Sequence, residues 1–175
     1  KSQLVLPDAA LRKPTAVPEF LAEQKKNSAV SGYHFVPARE PQFVDLPDLA
    51  PSLRSVLAQR GIRQLYSHQA EAFRLAASGR NVTVVTPTAS GKTLCYNLPV
   101  LQRIATNPDA RALYLYPTKA LTYDQLDDLM AWVNALDCDF GVYSYDGDTP
   151  QDARSAVRAK GQIVLTNPDM LHKGI

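Results

Sequence analysis

The sequence predicts an α/β fold in which a parallel β-sheet lies between two layers of helices. Three observations support this prediction: short apolar segments recur along the second half of the 175-residue chain, a helix-like stretch follows each of them, and polar clusters mark the segment ends. The predicted strands are 82–86, 112–116, 140–145 and 162–166. The predicted helices are 92–104, 119–136, 150–160 and one that begins near residue 168. Such alternation is typical of a three-layer arrangement with helices on both faces of the sheet.

Two further helices are predicted before the first of these strands. The first covers about 53–61, with Gly61 as its stop signal. The second covers 67–77, with Ser67 as N-cap and Glu71 near the capping-box position. The expected buried face of this second helix consists of Ala70, Phe73, Leu75 and Ala76.

The first 48 residues differ in composition from the rest of the chain because they contain six prolines. Long helices fit poorly between prolines, so we expect only a short helix at 19–26 and an extended segment at 33–36. The predicted organisation is therefore a Pro-rich N-terminal extension over residues 1–48 and one globular domain over 49–175.

Composition sets broad limits on function. The chain is 45% hydrophobic and 21% charged, with a net charge of +2, which neither requires nor excludes a nucleic-acid partner. No apolar run of 18 residues predicts a membrane span, and the N-terminal residues do not have the layout of a signal peptide. Cys95 and Cys138 lack metal-binding spacing, so we expect two reduced, buried thiols and a cytoplasmic location.

The segment from Thr86 to Thr93 reads Thr-Pro-Thr-Ala-Ser-Gly-Lys-Thr and lies between a predicted strand and a predicted helix. This order is typical of a P-loop, in which backbone N–H groups and the positive helix end surround the phosphates of a nucleotide. Lys92 would reach the β and γ oxygens of a nucleoside triphosphate, and the Thr93 hydroxyl would ligate Mg²⁺. The predicted nucleotide-binding residues of this segment are Thr88, Ala89, Ser90, Gly91, Lys92, Thr93 and Leu94.

Upstream of this loop, Tyr66 and Gln69 lie at the start of the predicted helix 67–77. A primary amide can pair with N6 and N7 of adenine at once, and an aromatic ring can stack on the base. Both residues are therefore candidates for binding adenine.

Polar clusters follow the later predicted strands, at the edge where parallel sheets bind ligands. Hydroxyls, a lysine and helix N-terminal amides at one edge are suited to contacts with a nucleic-acid backbone that do not read sequence. The candidate residues are Pro117, Thr118, Lys119, Gly147, Asp148, Thr166, Asn167 and Asp169.

The motif series resembles the first RecA-like lobe of superfamily 2 helicases over about residues 53–175. Gln69 matches the Q-motif glutamine, and 86–93 matches a variant of motif I that places Thr and Ala where the general P-loop has other residues. Residues 117–121 match motif Ia, Gly147 lies in the short Gly motif, and 166–169 match motif Ib. The resemblance implies ATP and Mg²⁺ as cofactors.

The amino-acid sequence in and around these motifs most resembles that of the RecQ4-related DNA helicases with a C-terminal DUF1998 region. The bacterial members of this group are the MrfA type. This resemblance implies ATP-driven 3′-to-5′ translocation on single-stranded DNA or a 3′-tailed duplex, in DNA repair. From the residues alone, DNA and RNA remain open, because none of these groups senses the 2′-hydroxyl.

Helicases of this superfamily also carry an Asp-Glu motif II, which this chain lacks. We expect the chain to be the N-terminal piece of a longer helicase whose second RecA-like lobe follows Ile175, and to bind ATP without hydrolysing it at a useful rate. Two alternatives remain: an RNA helicase lobe, and a non-catalytic nucleic-acid-binding module with a relic P-loop. A GTPase is disfavoured because Asn167-Pro168-Asp169 lacks the spacing that reads guanine.

Overall fold

The computed structural model describes residues 17–26, 32, 40–87, 89–136 and 140–174. The chain divides into two units, Lys1–Glu40 and Pro41–Ile175. In the first unit, helix α1 (Val17–Gln24) forms close to the predicted helix 19–26. The predicted extended segment 33–36 lies outside the described residues, as do Thr88 and Cys138.

The second unit contains two sheets and six helices among its described residues. In chain order they are β1 (Phe43–Asp45), α2 (Pro51–Gln59), β2 (Gln64–Tyr66), α3 (Ser67–Ala77), α4 (Lys92–Thr106), β3 (Ala112–Leu115), α5 (Lys119–Ala135), β4 (Val142–Ser144), α6 (Gln151–Lys160), β5 (Ile163–Thr166) and α7 (Pro168–Gly174).

The main sheet is parallel and has the strand order β3-β5-β4. Tyr114 of β3 and Ser144 of β4 both lie opposite Leu165 of the central strand β5. On one face of β5, Ile163 and Leu165 are fully buried; on the other face, Thr166 is buried and Val164 is half-buried. The predicted α/β fold, a parallel sheet flanked by helices, is confirmed. Because the three strands are parallel, their carboxyl ends bring the segments after residues 115, 144 and 166 to one edge.

The strand predicted over 82–86 is wrong. Residues 81–87 form no regular secondary structure, and Val85 is 88% exposed. A strand requires a hydrogen-bonded neighbour, but within the described residues β3 pairs with β5 alone. Val82 and Val84 instead line a cavity of about 840 Å³ that is also lined by Ala112 and Leu113 of β3. The β-branched residues of this segment therefore predicted a strand, but in the described part of the chain the segment has no strand to pair with.

A second, antiparallel sheet was not predicted. It joins β1 to β2, with Phe43 opposite Tyr66 and Val44 opposite Leu65. The Ser67 N–H extends the pairing by donating to the carbonyl of Gln42. This ribbon fixes the chain immediately before α3, where the candidate adenine-binding residues lie.

The start of α3 differs from the prediction in its cap. Tyr66 is the N-cap, not Ser67, because the Gln69 side chain at the third helical position accepts a hydrogen bond from the Tyr66 N–H. Glu71 forms an exposed ion pair with Arg74 and does not cap the helix. Of the predicted buried face, Phe73 is buried, whereas Ala70, Leu75 and Ala76 are half-buried.

The hydrophobic core joins α2, α3, α4 and α5 to the main sheet. Its fully buried side chains include Leu53, Leu57, Leu65, Leu98, Leu101, Leu129, Ile163 and Leu165. Cys95 on α4 is buried as predicted, and burial raises the pKa of its thiol. None of the described helices combines the length and apolar character needed to cross a bilayer.

Replacing Leu98 by alanine should lower the free energy of unfolding by about 2–5 kcal/mol, because it leaves a cavity at a fully buried site on α4. The matched control is Met130→Ala on α5, where the side chain is 43% exposed and the expected change is within about 0.5 kcal/mol. Urea denaturation of the chain measures both. Equal changes for the two variants would contradict this assignment of the core.

Candidate nucleotide and nucleic-acid sites

Ala89 and Gly91, which precede α4, have backbone angles that suit a tight turn into this helix. Gly91 is the N-cap of α4 and has φ +72°, and Ala89 has φ +58°, so both lie in the left-handed region. An added Cβ on Gly91 would lie 2.6 Å from Nε2 of Gln69. Both the backbone conformation and the close approach of Gln69 therefore require glycine at 91.

Gln69 joins this loop to the start of α3. Its side chain is 5% exposed. Oε1 accepts from the Tyr66 N–H at 3.0 Å, and Nε2 donates to the Gly91 carbonyl at 2.9 Å. A primary amide has two acceptor and two donor positions, so one of each remains for a ligand such as adenine.

His68 makes a second link that the sequence did not reveal. Its Nε2 lies 2.9 Å from the Ser90 carbonyl oxygen. Because a carbonyl only accepts, this nitrogen carries the proton and donates. Side chains from the first turn of α3 therefore bind two successive carbonyls of the loop, those of Ser90 and Gly91. Nothing in the sequence, apart from its place next to Gln69, indicated a role for His68.

The Lys92 ammonium is held by the loop itself. Nζ donates to the carbonyls of Thr86, at 2.9 Å, and Pro87. It also lies 3.4 Å from the hydroxyl oxygens of Thr86 and Ser90, which share a hydrogen bond of 2.6 Å. The loop thus presents oxygen atoms to the cation that is predicted to bind phosphate.

Three aromatic rings stack beside the loop. The rings of Phe43 and Tyr66 lie 4.8 Å apart at 24°, and those of Tyr66 and His68 lie 5.6 Å apart at 13°. A cavity of about 430 Å³ is lined by Phe43 and Tyr66 together with Gln69, Gly91 and Thr93. Phe43 was not predicted, since it lies 23 residues before Tyr66 and approaches it only through the β1–β2 ribbon.

Among the remaining predicted nucleotide-binding residues, Thr93 and Leu94 are both half-buried in the first turn of α4. Thr93 faces the cavity, whereas Leu94 packs against the core. The structure thus brings Tyr66, Gln69, Gly91 and Thr93 together at one cavity.

At the sheet edge, an ion pair joins two predicted nucleic-acid-binding segments. Lys119 Nζ lies 2.6 Å from a carboxylate oxygen of Asp148. Hydrogen bonding to Asp148 raises the pKa of the Lys119 ammonium. Both side chains are exposed, so the pair is expected to contribute little stability. A phosphate would therefore meet a lysine that already has a local carboxylate partner.

Asp146, which was not among the predicted site residues, organises the turn that contains Gly147. It is 2% exposed, and its carboxylate accepts from the Tyr123 hydroxyl and the Asp148 N–H, both at 2.9 Å. Burial raises the pKa of this carboxyl, but the hydrogen bonds outweigh it and hold the pKa below its usual range. Asp146 is therefore a structural anchor that fixes this turn against α5.

The other predicted residues of this edge differ in accessibility. Thr118 and Asn167 are helix-capping residues: their side-chain oxygens accept from the N–H groups of Leu121 and Met170. Pro117, Gly147 and Asp169 are exposed. Thr166 is only 3% exposed, and its hydroxyl donates to the Tyr145 carbonyl. The Thr166 side chain thus lies beneath the surface that the others form.

Gly91→Ala should lower the free energy of unfolding by about 1–3 kcal/mol from backbone strain, with a further loss from the contact with Gln69. Gly79→Ala is the matched control, because Gly79 has φ +77° and open space around its Cβ position. In a Gln69→Ala background the cost of Gly91→Ala should fall to that of Gly79→Ala. A double-mutant cycle by urea denaturation measures this, and purely additive costs would refute the contact.

Comparison with known proteins identifies relatives of the chain. The DEAD/DEAH box helicase family pattern matches residues 66–175. The uncharacterized ATP-dependent helicase YprA of Bacillus subtilis (strain 168) is 44% identical over 164 residues, which cover 93% of this chain and 22% of that protein. The ATP-dependent helicase hrq1 of Schizosaccharomyces pombe is 34% identical over 174 residues, covering 93% of this chain and 16% of that protein.

Among solved structures, the crystal structure of the DUF1998 helicase MrfA bound to DNA and AMPPNP superposes with a TM-score of 0.85. It is 45% identical in sequence, and the match covers 90% of this chain and 22% of that one. The chain therefore spans about a fifth of the length of these relatives. The predicted resemblance to superfamily 2 helicases is confirmed, and the match over residues 66–175 shows that the chain belongs to the DEAD/DEAH box helicase family.

Proposed function

We propose that this chain is the ATP-binding first RecA-like lobe, residues 49–175, of an ATP-dependent DNA helicase, preceded by a Pro-rich extension over 1–48. The observation that carries the proposal is the pair of hydrogen bonds through which Gln69 holds both the Tyr66 N–H and the Gly91 carbonyl. One buried amide thereby aligns the candidate adenine-binding residues with the candidate phosphate loop.

In this proposal the nucleotide lies along the cavity that Tyr66, Gln69 and Thr93 line. Adenine stacks on Tyr66 and pairs with the remaining donor and acceptor of Gln69. The phosphates lie at the N-terminus of α4, where free N–H groups and the helix dipole favour negative charge. Lys92 exchanges its loop carbonyls for phosphate oxygens. Thr88, Ala89, Ser90, Gly91 and Leu94 complete the predicted loop.

The chemistry of Thr93 fits Mg²⁺ only as one ligand of a shell completed by others. Thr93 offers a side-chain oxygen in the first turn of α4, whereas the described residues contain no group of three or more acidic, His or Cys side chains that could hold a metal ion. Mg²⁺ commonly keeps several waters and binds substrate phosphates. When bound, it would neutralise charge on the phosphate oxygens.

The nucleic-acid strand would lie across the carboxyl ends of β3, β4 and β5. Pro117, Gly147 and Asp169 are exposed there, and α5 and α7 begin within a few residues of the carboxyl ends of β3 and β5. Lys119 would exchange Asp148 for phosphate. Thr118 and Asn167 would shape the surface by capping their helices, and the buried Thr166 would support it from beneath. Such backbone contacts predict binding with little sequence preference and strong dependence on salt.

The relatives support DNA as the nucleic acid, since MrfA was crystallised with DNA and AMPPNP. We further propose 3′-to-5′ movement on single-stranded DNA or a 3′-tailed duplex, a role in DNA repair, a cytoplasmic location, and a second RecA-like lobe after Ile175. Because the chain lacks an Asp-Glu motif, activation of the attacking water would require groups outside residues 1–175.

The longest natural chain that contains these residues should hydrolyse ATP faster with single-stranded DNA than with RNA of the same sequence. Residues 1–175 alone should show no turnover, since water activation and charge stabilisation are incomplete. Steady-state phosphate release measures each case. Stimulation by RNA alone would indicate an RNA helicase, and no turnover of the longer chain under any condition would indicate a non-catalytic binding module.

Lys92→Ala in the longer chain should lower DNA-stimulated ATP turnover by roughly 100-fold or more, because it removes a cation from the phosphates where charge develops. Its affinity for single-stranded DNA should stay close to wild type, since Lys92 lies in the nucleotide loop and not at the sheet edge. Lys160 is an exposed residue of α6. The control variant Lys160→Ala should leave ATP turnover unchanged. Normal turnover by Lys92→Ala would refute the assignment of the loop.

A further inference from the structure

A basic cleft of about 390 Å³ lies between α6 and α7, outside every residue assigned above. It is lined by Tyr145, Gln151, Arg154, Arg158, Met170 and Lys173. Three of these six side chains are cations and none is a carboxylate. The cleft is therefore a concentrated positive site in a chain whose net charge is only +2.

Among the described residues, the three cations of the cleft have no carboxylate partner. Within the described ranges, none of Arg154, Arg158 and Lys173 forms an ion pair, whereas Lys119, Arg60 and Arg74 each do. The guanidinium carbons of Arg154 and Arg158 lie 5.8 and 5.9 Å from the centroid of the same Tyr145 ring. Two like charges over one ring repel each other, and an anion in the cleft would relieve that repulsion.

Arg154 is held in place by the backbone. Its Nε donates to the Thr149 carbonyl at 3.0 Å, and a terminal nitrogen lies 3.4 Å from the carbonyls of Asp146 and Gly147. Arg158 is less constrained, since among the described residues its one hydrogen bond runs from Nε to the Arg154 carbonyl at 3.5 Å. The terminal nitrogens of Arg158 therefore stay available to an anion.

The cleft continues the proposed nucleic-acid surface. Arg154 binds the turn that contains Gly147, and Met170, on the opposite wall, donates its N–H to the side chain of Asn167. Both Gly147 and Asn167 are candidate backbone-binding residues. A nucleic-acid strand bound at both residues would therefore pass close to the cleft.

We propose that this cleft binds a phosphate of the nucleic-acid backbone, with Arg158 and Lys173 as the contacting cations and Arg154 as a positioning residue. The planar guanidinium of Arg158 suits paired contacts to two phosphate oxygens, and Lys173 adds a point charge. This inference rests on the proposed function, because it extends the same strand path down the α6–α7 side of the lobe.

The test measures how the affinity for a fluorescein-labelled single-stranded oligothymidylate depends on salt, by anisotropy, in the longest natural chain that contains these residues. Each phosphate contact on a single strand contributes about 0.7 to the slope of log K against log salt. The Arg158→Gln and Lys173→Gln variants should each reduce the slope by about 0.7, and the double variant by about 1.4.

Two controls separate charge at the cleft from general effects. Arg158→Lys keeps the charge and should retain the wild-type slope. Lys160→Gln removes a charge from α6 at a residue that does not line the cleft, and should also retain it. Wild-type slopes in both single Gln variants would overturn the inference and leave the proposed function intact. If the wild-type chain itself fails to bind the oligonucleotide, the proposed function fails with it.

Discussion

The buried amide of Gln69 is the interaction on which the candidate nucleotide site depends. It satisfies a free N–H at the start of α3 and, through its other end, the carbonyl that begins α4. Because an unsatisfied buried amide is costly, the relative position of the two helices is tightly specified. The need for glycine at 91 and the second link, from His68 to Ser90, accompany this close approach of α3 to the loop. Removing the amide would relax the steric restriction at Gly91 and leave His68 as the remaining side-chain link to the loop.

At the sheet edge, by contrast, most polar side chains already form hydrogen bonds within the protein. Thr118 and Asn167 cap helices, the Thr166 hydroxyl binds a carbonyl, and Asp146 closes a turn. These groups hold loops in shape and leave few charges free for a ligand. Arg154, Arg158 and Lys173, which form no ion pair among the described residues, lie away from these groups, between α6 and α7. Shape at the edge and charge at the cleft are thus supplied by different residues, which fits a protein that binds a backbone without reading bases.

The sequence was sufficient for the features that depend on local patterns. The helices from α3 to α7 and the strands β3, β4 and β5 lie close to their predicted positions, because periodicity and N-terminal capping residues are local signals. The strand at 82–86 was mispredicted because composition cannot show whether a neighbouring strand is present. Phe43 and His68 were missed because their roles arise from the β1–β2 ribbon and from a hydrogen bond across 22 residues. Thr166 illustrates the remaining difficulty: the sequence identified it as a candidate but could not predict that it is buried.

The hydrogen bonds of Lys92 have a consequence for how tightly this loop could hold any anion. Its ammonium is satisfied by the carbonyls of Thr86 and Pro87, so an incoming phosphate competes with the loop for one cation. The apparent affinity is then the intrinsic affinity multiplied by the fraction of molecules in which Lys92 is released. Any change that weakens these internal contacts without touching the ligand would raise the apparent affinity, and any that strengthens them would lower it. The carbonyls of the loop thus compete with the anion for Lys92. The strength of their hydrogen bonds to this lysine therefore helps to set how readily an anion binds and leaves.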